Sequence, residues 1–204
     1  MLEHKPIYNT LIRTFPIWFN EYEVNLDVKP LGIISSWGSI IHLSKGGNNN
    51  IYGDRIPAIW FQPGTNKLHI CSAISNNRNY CVNENKDLPR DRFTKIRIAQ
   101  VCQDSCNDYR YTISIDGEQV HSILNKNPIT LSNVRVYMAD PWGNAANALV
   151  KNLSIETSQG GTLFNFIYYS KPTLNFKTTM FGCCYNITMV KECCSNIILT
   201  SFDG

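Results

Sequence analysis

Residues 22–28, Tyr-Glu-Val-Asn-Leu-Asp-Val, alternate apolar and polar without a fault. That period predicts a half-buried strand with Tyr22, Val24, Leu26 and Val28 facing a core. Ile33 to Leu43 is a second apolar stretch, interrupted at Ser35-Ser36 and Gly38, where a bend or bulge is expected. Lys45 to Asn50 is loop by composition. Between Tyr52 and Cys81, Ile56 to Phe61 reads as a strand, Gln62 to Asn66 as a turn, Lys67 to Ala73 as a strand, and Ser75 to Asn79 as a turn.

The pattern continues through Phe93 to Val101, with Ile96 and Ile98 on one face. It continues again through Tyr109 to Ile115, with Tyr109, Tyr111, Ile113 and Ile115 together. Asp116-Gly117 then predicts a hairpin, because a type I′ turn needs positive φ at both central positions. Gln119 to Leu124 is the return strand, and Val134, Val136 and Met138 mark another. Leu149 to Glu156 is a further strand, with Leu149, Leu153 and Ile155 expected inward and Asn152 outward. Asp140 to Ala148 suits a short helix or a turn. About ten short strands separated by turn signals predict an all-β, two-sheet antiparallel sandwich, with long connections favouring a jelly roll.

Ser158-Gln-Gly-Gly161 marks a composition change. It divides the chain into a sandwich over residues 10–157 and a cysteine-rich β appendage or partial segment over residues 158–204. A length of 204 residues suffices for one sizeable core and such an appendage.

Eight cysteines stand at 71, 81, 102, 106, 183, 184, 193 and 194. Their even number and local grouping favour disulfides. Cys71 and Cys81 flank a turn, Cys102 and Cys106 a short loop, and Cys183-Cys184 sit opposite Cys193-Cys194, with connectivity left open. A metal site is the rival reading, but no C-x-x-C occurs and His4, His42, His69 and His121 make no pair at ligand spacing. A secreted or extracellular protein is expected, and the sequons at Asn152 and Asn186 agree with that. No signal peptide is seen, because Lys5, Asn9 and Arg13 break the apolar character of Met1 to Phe15. No apolar run reaches membrane-spanning length. A net charge of +3, scattered and without aromatic interleaving, argues against nucleic acid.

The block from Tyr52 to Ala73, the hairpin Tyr111 to Ile123, and the stretch Val134 to Glu156 together resemble a laminin G-like, concanavalin A-like jelly roll of invertebrate extracellular proteins. The likeness follows Glu21 to Val28, Gly53 to Phe61 and Leu149 to Glu156 in order. It implies a two-sheet recognition domain that binds glycans or extracellular proteins, with calcium possible. Fold alone does not fix function.

A hydrolase on such a fold needs two carboxylates across the scissile bond. Glu21, Glu23 and Asp27 share a strand face but miss the spacing E-x-D-x-x-E of the endoglucanase relatives. They read as a solvated strand face. His69 beside Cys71 reads as a packed histidine next to a disulfide rather than a Cys-His catalytic pair. Calcium would draw on loop oxygens from Asp54, Asp104, Asp108, Asp140, Asn144 and Asn147. For a glycan, Asp140-Pro-Trp142-Gly-Asn144 sets an aromatic ring among polar groups in a loop. Asp54-Arg55 near Trp60 is the second candidate, although Trp60 also suits the core and Asp54-Arg55 a structural ion pair. The expected function is non-enzymatic recognition of a glycan or protein partner. A carbohydrate-active hydrolase and a self-associating matrix protein are the alternatives.

Overall fold

The computed structural model describes residues 2–103, 106–159 and 162–168. In chain order the strands are β1 (Leu11–Trp18), β2 (Glu21–Pro30), β3 (Gly38–Ser44), β4 (Ala58–Phe61), β5 (Lys67–Ile74), β6 (Asn77–Asp87) and β7 (Thr94–Gln103). They continue as β8 (Asp108–Ile115), β9 (Glu118–Asn125), β10 (Leu131–Tyr137), β11 (Asn144–Ala145), β12 (Ala148–Gln159) and β13 (Thr162–Ile167). One sheet runs β1-β10-β3-β4-β5-β6 with β11 added to β3, and the other runs β13-β12-β2-β7-β8-β9. Among the described residues every strand pairing is antiparallel except that of β11 with β3. Strands distant in sequence lie side by side, β1 with β10 and β2 with β12. This is a two-sheet antiparallel jelly-roll sandwich. Among the described residues no helix is long and apolar enough to cross a membrane.

The core lies between the sheets. β2 buries Tyr22, Val24, Leu26 and Val28 and turns its polar positions outward, as its alternation predicts. Ile96, Ile98, Tyr111 and Ile113 join them from the same sheet, and Ile59, Phe61, Leu68 and Ile70 face them from the other. Each fully buried aliphatic or phenyl side chain contributes about 1.5–3 kcal/mol of transfer free energy. Asp116 and Gly117 have φ of 50° and 87°, the hairpin turn expected between β8 and β9. Ser75 and Asn76, at 48° and 68°, make the same kind of turn between β5 and β6.

The pattern misplaces one face. Leu149 is not in the core, which instead takes Ala148, Val150, Leu153 and Ile155. A bulge between Lys151 and Ser154 shifts the register against β2, and Asn152 within it has a φ of 54°. One extra residue converts an odd spacing, Val150 to Leu153, into positions on a single face. Asn152 is exposed, as expected, and its Nδ2 donates to Oδ2 of Asp27 at 2.5 Å. Asp140 to Ala148 forms a turn followed by β11 rather than a helix.

Ser158 lies within β12, paired with Glu21 on one side and Leu163 of β13 on the other. Phe164, Phe166 and Tyr168 pack against the core edge. Cys183, Cys184, Cys193, Cys194 and the Asn186 sequon lie outside the described residues, as does Asp104. Cys71 is joined to Cys81, and Cys102 to Cys106.

Candidate functional site

The strands β3 to β6 carry a second layer of side chains on the face turned away from the core. In β4, Ile59 and Phe61 enter the main core, while Ala58 and Trp60 form a separate cluster with Cys71 and Cys81. Two cross-strand rows build this face. Ser39 pairs with Trp60, Trp60 with His69, and His69 with Asn83. Beside them His42 pairs with Ala58, Ala58 with Cys71, and Cys71 with Cys81.

Asp140 enters beneath this face from the loop after β10. Its Oδ2 accepts from Ser39 Oγ at 2.8 Å and from Trp60 Nε1 at 3.1 Å, and stands 3.0 Å from His42 Nδ1. Its Oδ1 accepts from the backbone N–H of Trp142 at 2.9 Å. The residue is 1% exposed. Burial alone would raise its pKa, but the bond to and charge of His42, with help from Ser39 and the Trp142 amide, lower it to about 2. The other ring nitrogen of His42 lies 2.6 Å from the carbonyl oxygen of Asp54. Both ring nitrogens therefore face oxygens.

Asp54 is also buried. Its carboxylate accepts the backbone N–H groups of Gly47, Asn50 and Ile51 at 3.1, 2.7 and 3.0 Å, which shapes the Lys45 to Asn50 loop. A Cβ on Gly47 would sit 2.5 Å from that carboxylate, so the close approach requires glycine. The expected alternative of an Asp54–Arg55 ion pair does not form. Among the described residues Arg92 pairs with Asp116 and Arg97 with Glu23, and the Asp140 carboxylate lies against the His42 ring. Arg55 instead lies over the Trp60 ring at 4.7 Å. It donates to Asn48 through Nε and Nη2 and to Asn79 Oδ1 through Nη1 at 2.6 Å. Burial lowers its pKa, against the opposing charges of Asp140 and Asp54.

Aromatic rings form a continuous row across this floor. Tyr137 meets Trp142 at 5.7 Å, Trp142 meets His42 at 5.1 Å, and His42 meets Trp60 at 5.1 Å. Trp60 meets His69 at 5.8 Å, and His69 meets Trp37 at 4.6 Å. Trp60 is 6% exposed, whereas Trp37 and Trp142, toward the two ends, are 45% and 38% exposed. Asn79 and Asn83 edge the row from β6, and Asn83 Oδ1 lies 2.6 Å from His69 Nδ1. Burial holds His69 below the usual histidine range, with the Arg55 charge adding to that and the Asn83 bond opposing it.

The residues singled out from sequence thus fall in two layers. Asp140 and Asp54 are the buried floor, and their oxygens point at N–H and O–H donors. Arg55, Trp142 and Asn144 lie nearer the surface, Asn144 donating to Ser36 Oγ at 2.6 Å. Ser39, His42, His69, Trp37, Asn79 and Asn83 complete the face and were not anticipated as site residues. A buried polar residue within the apolar run of β3, His42, is the signal that points to them, because such a group requires a partner.

The opposite outer face, on the six-stranded sheet, has a shallow depression of about 480 Å³ lined by Glu23, Asn25, Asp27, Lys95, Arg97, Asn152 and Ser154. Its acids are engaged. Glu23 pairs with Arg97 and accepts from Asn25 at 2.8 Å, and Asp27 accepts from Asn152. Burial would raise the pKa of Glu23, but Arg97 and Asn25 lower it overall. Glu21 accepts from the backbone N–H of Cys102 at 2.9 Å.

No protein-family model matches the chain, and the search of curated proteins finds no match. Solved structures that it is similar to include a heptameric SAP-like pentraxin from Limulus polyphemus, at 11% identity over 71% of this chain and 67% of that one, with a TM-score of 0.46. Sheep galectin-11 in complex with glycerol is 7% identical over 73% of this chain and 98% of the galectin, with a TM-score of 0.44. The CBM40 domain of Ruminococcus gnavus IT-sialidase, bound to α2,3-sialyllactose, is 8% identical over 72% of this chain and 89% of that domain, with a TM-score of 0.40.

Proposed function

We propose that this protein is a non-enzymatic extracellular recognition module that binds a glycan on the outer face of β3 to β6. The aromatic row ending in the exposed rings of Trp37 and Trp142 carries the reading. Sugar rings present apolar C–H faces that stack on indoles, and their hydroxyls pair with amide and guanidinium groups of the kind supplied by Asn79, Asn83 and Arg55. Such a platform on rigid strands is preorganised, which limits the ordering cost of binding. The two disulfides favour an oxidising, extracellular setting.

A non-enzymatic role is supported by the carboxylates. Glu21, Glu23 and Asp27 each bond within the protein, and the depressed Glu23 suits an ion pair rather than a general acid. Asp54 and Asp140 turn their oxygens toward donors, which disfavours a cation there, so the binding is calcium-independent. A glycan array run with and without chelator tests this. Binding retained in chelator, without turnover, is expected. Hydrolysis of a bound glycan, or a monomer that binds none, would overturn it, the latter favouring an extracellular protein partner.

A further inference from the structure

On β5 and β6, Nε2 of His69 and the Sγ atoms of Cys71 and Cys81 lie within 4.8 Å of one another. The side-chain amide oxygen Oδ1 of Asn83 lies 2.6 Å from Nδ1 of His69, and the tautomer that bonds it carries its proton on Nδ1 and presents a lone pair at Nε2. That lone pair faces Cys71 Sγ at 3.0 Å. A disulfide sulfur has no proton to give it, so a polar atom is aimed at a position where the disulfide supplies no donor.

We propose that Cys71, Cys81 and His69 form a binding site for a soft or borderline metal ion, such as zinc(II) or copper(I), when the cysteines are in the dithiol state. Two thiolates and an imidazole nitrogen are the donors such ions select. The cysteines stand directly opposite in the ladder with their Cα atoms 4.1 Å apart. Tetrahedral zinc holds two sulfurs about 3.8 Å apart, a spacing within reach of side-chain rotation alone. Asn83 orients the imidazole as an outer partner of a metal-bound histidine does. Arg55 Nη1, 3.6 Å from Cys71 Sγ, favours that sulfur as a thiolate.

The conversion takes two exchange steps with a dithiol reductant. Its thiolate attacks Sγ of Cys81, the more accessible of the pair, and Cys71 leaves as a thiolate. The second reductant thiolate then attacks the mixed disulfide and releases Cys81. The reductant departs as a disulfide, having given two electrons. The metal ion then takes the place of any protons on the two sulfurs, which leave to solvent.

The test uses the full chain with Cys102, Cys106, Cys183, Cys184, Cys193 and Cys194 changed to serine, reduced with a phosphine and titrated anaerobically with cobalt(II). One equivalent is expected to give a thiolate-to-cobalt charge-transfer band with tetrahedral d–d absorption, and the oxidised protein none. His69→Ala should weaken binding by at least about tenfold, and Asn83→Ala by about tenfold. Absence of the band, equal affinity in His69→Ala, or loss of the native near-ultraviolet circular dichroism on reduction would overturn the proposal. None of these readouts depends on glycan binding.

Discussion

Nε1 of Trp60 donates to Oδ2 of Asp140 at 3.1 Å, joining positions 80 residues apart. The same carboxylate holds the amide of Trp142, so one buried group sets both the central ring and a rim ring of the platform. Asp140→Ala leaves His42, Ser39 and Trp60 without their acceptor. Breaking a buried pair by removing one partner costs about 3–5 kcal/mol. The urea midpoint should fall accordingly, with an unchanged slope, and glycan affinity should fall with it.

The acid dependence of stability follows from the same residue. The folded-state pKa of Asp140, about 2, lies below its ordinary 3.8. A depressed carboxylate contributes stability that is fully present above the unfolded value and is lost as pH falls through the folded one. Denaturation followed from pH 5 downward should show this loss between roughly 4 and 2. Asp140→Asn should flatten the curve in that window, even from a lower starting stability.

Trp37 and Trp142 separate binding from folding. Both are substantially exposed, so Trp37→Ala and Trp142→Ala should leave the thermal midpoint within a few degrees of the parent. Each should weaken glycan binding by about tenfold or more, equivalent to about 1.4 kcal/mol. Calorimetric titration with a glycan that binds the parent measures the loss, and unchanged affinity in both variants would remove the platform from the site.

Asn152 tests the bulge. Its φ of 54° is one that asparagine and glycine tolerate and that costs other L-residues roughly 1–2 kcal/mol. Asn152→Gly should therefore be close to neutral, while Asn152→Val should lose about that amount in chemical denaturation.

The sandwich was legible where one sheet face is buried and the other wet. β2 and β8 show their faces by alternation, and Asp116-Gly117 shows its turn by type. β1 lacks that clarity because it buries only Phe15 and Trp18 firmly. β6 is a polar edge strand whose place is set by pairing with β5, as is the Cys71–Cys81 bridge. Val150 and Leu153 share a face only through a bulge that no period announces. The site was half legible. Asp140, Trp142, Asp54 and Arg55 stood out as local clusters, but that the two acids are floor and the indoles platform depends on contacts from β3, β5 and β6. Trp37 and His69 meet only after folding and carry no common motif.

The hydrogen-bonded floor beneath the rings has a consequence for how this surface can change. Asp140 and Asp54 meet their partners within the protein, and none of those bonds awaits a ligand. Substitutions at the rim, around Trp37, Asn83 and Trp142, can therefore alter what is recognised while the scaffold stays intact. Affinity and fold are written on different side chains, which makes this face a place where new specificities can be selected at little cost to the domain.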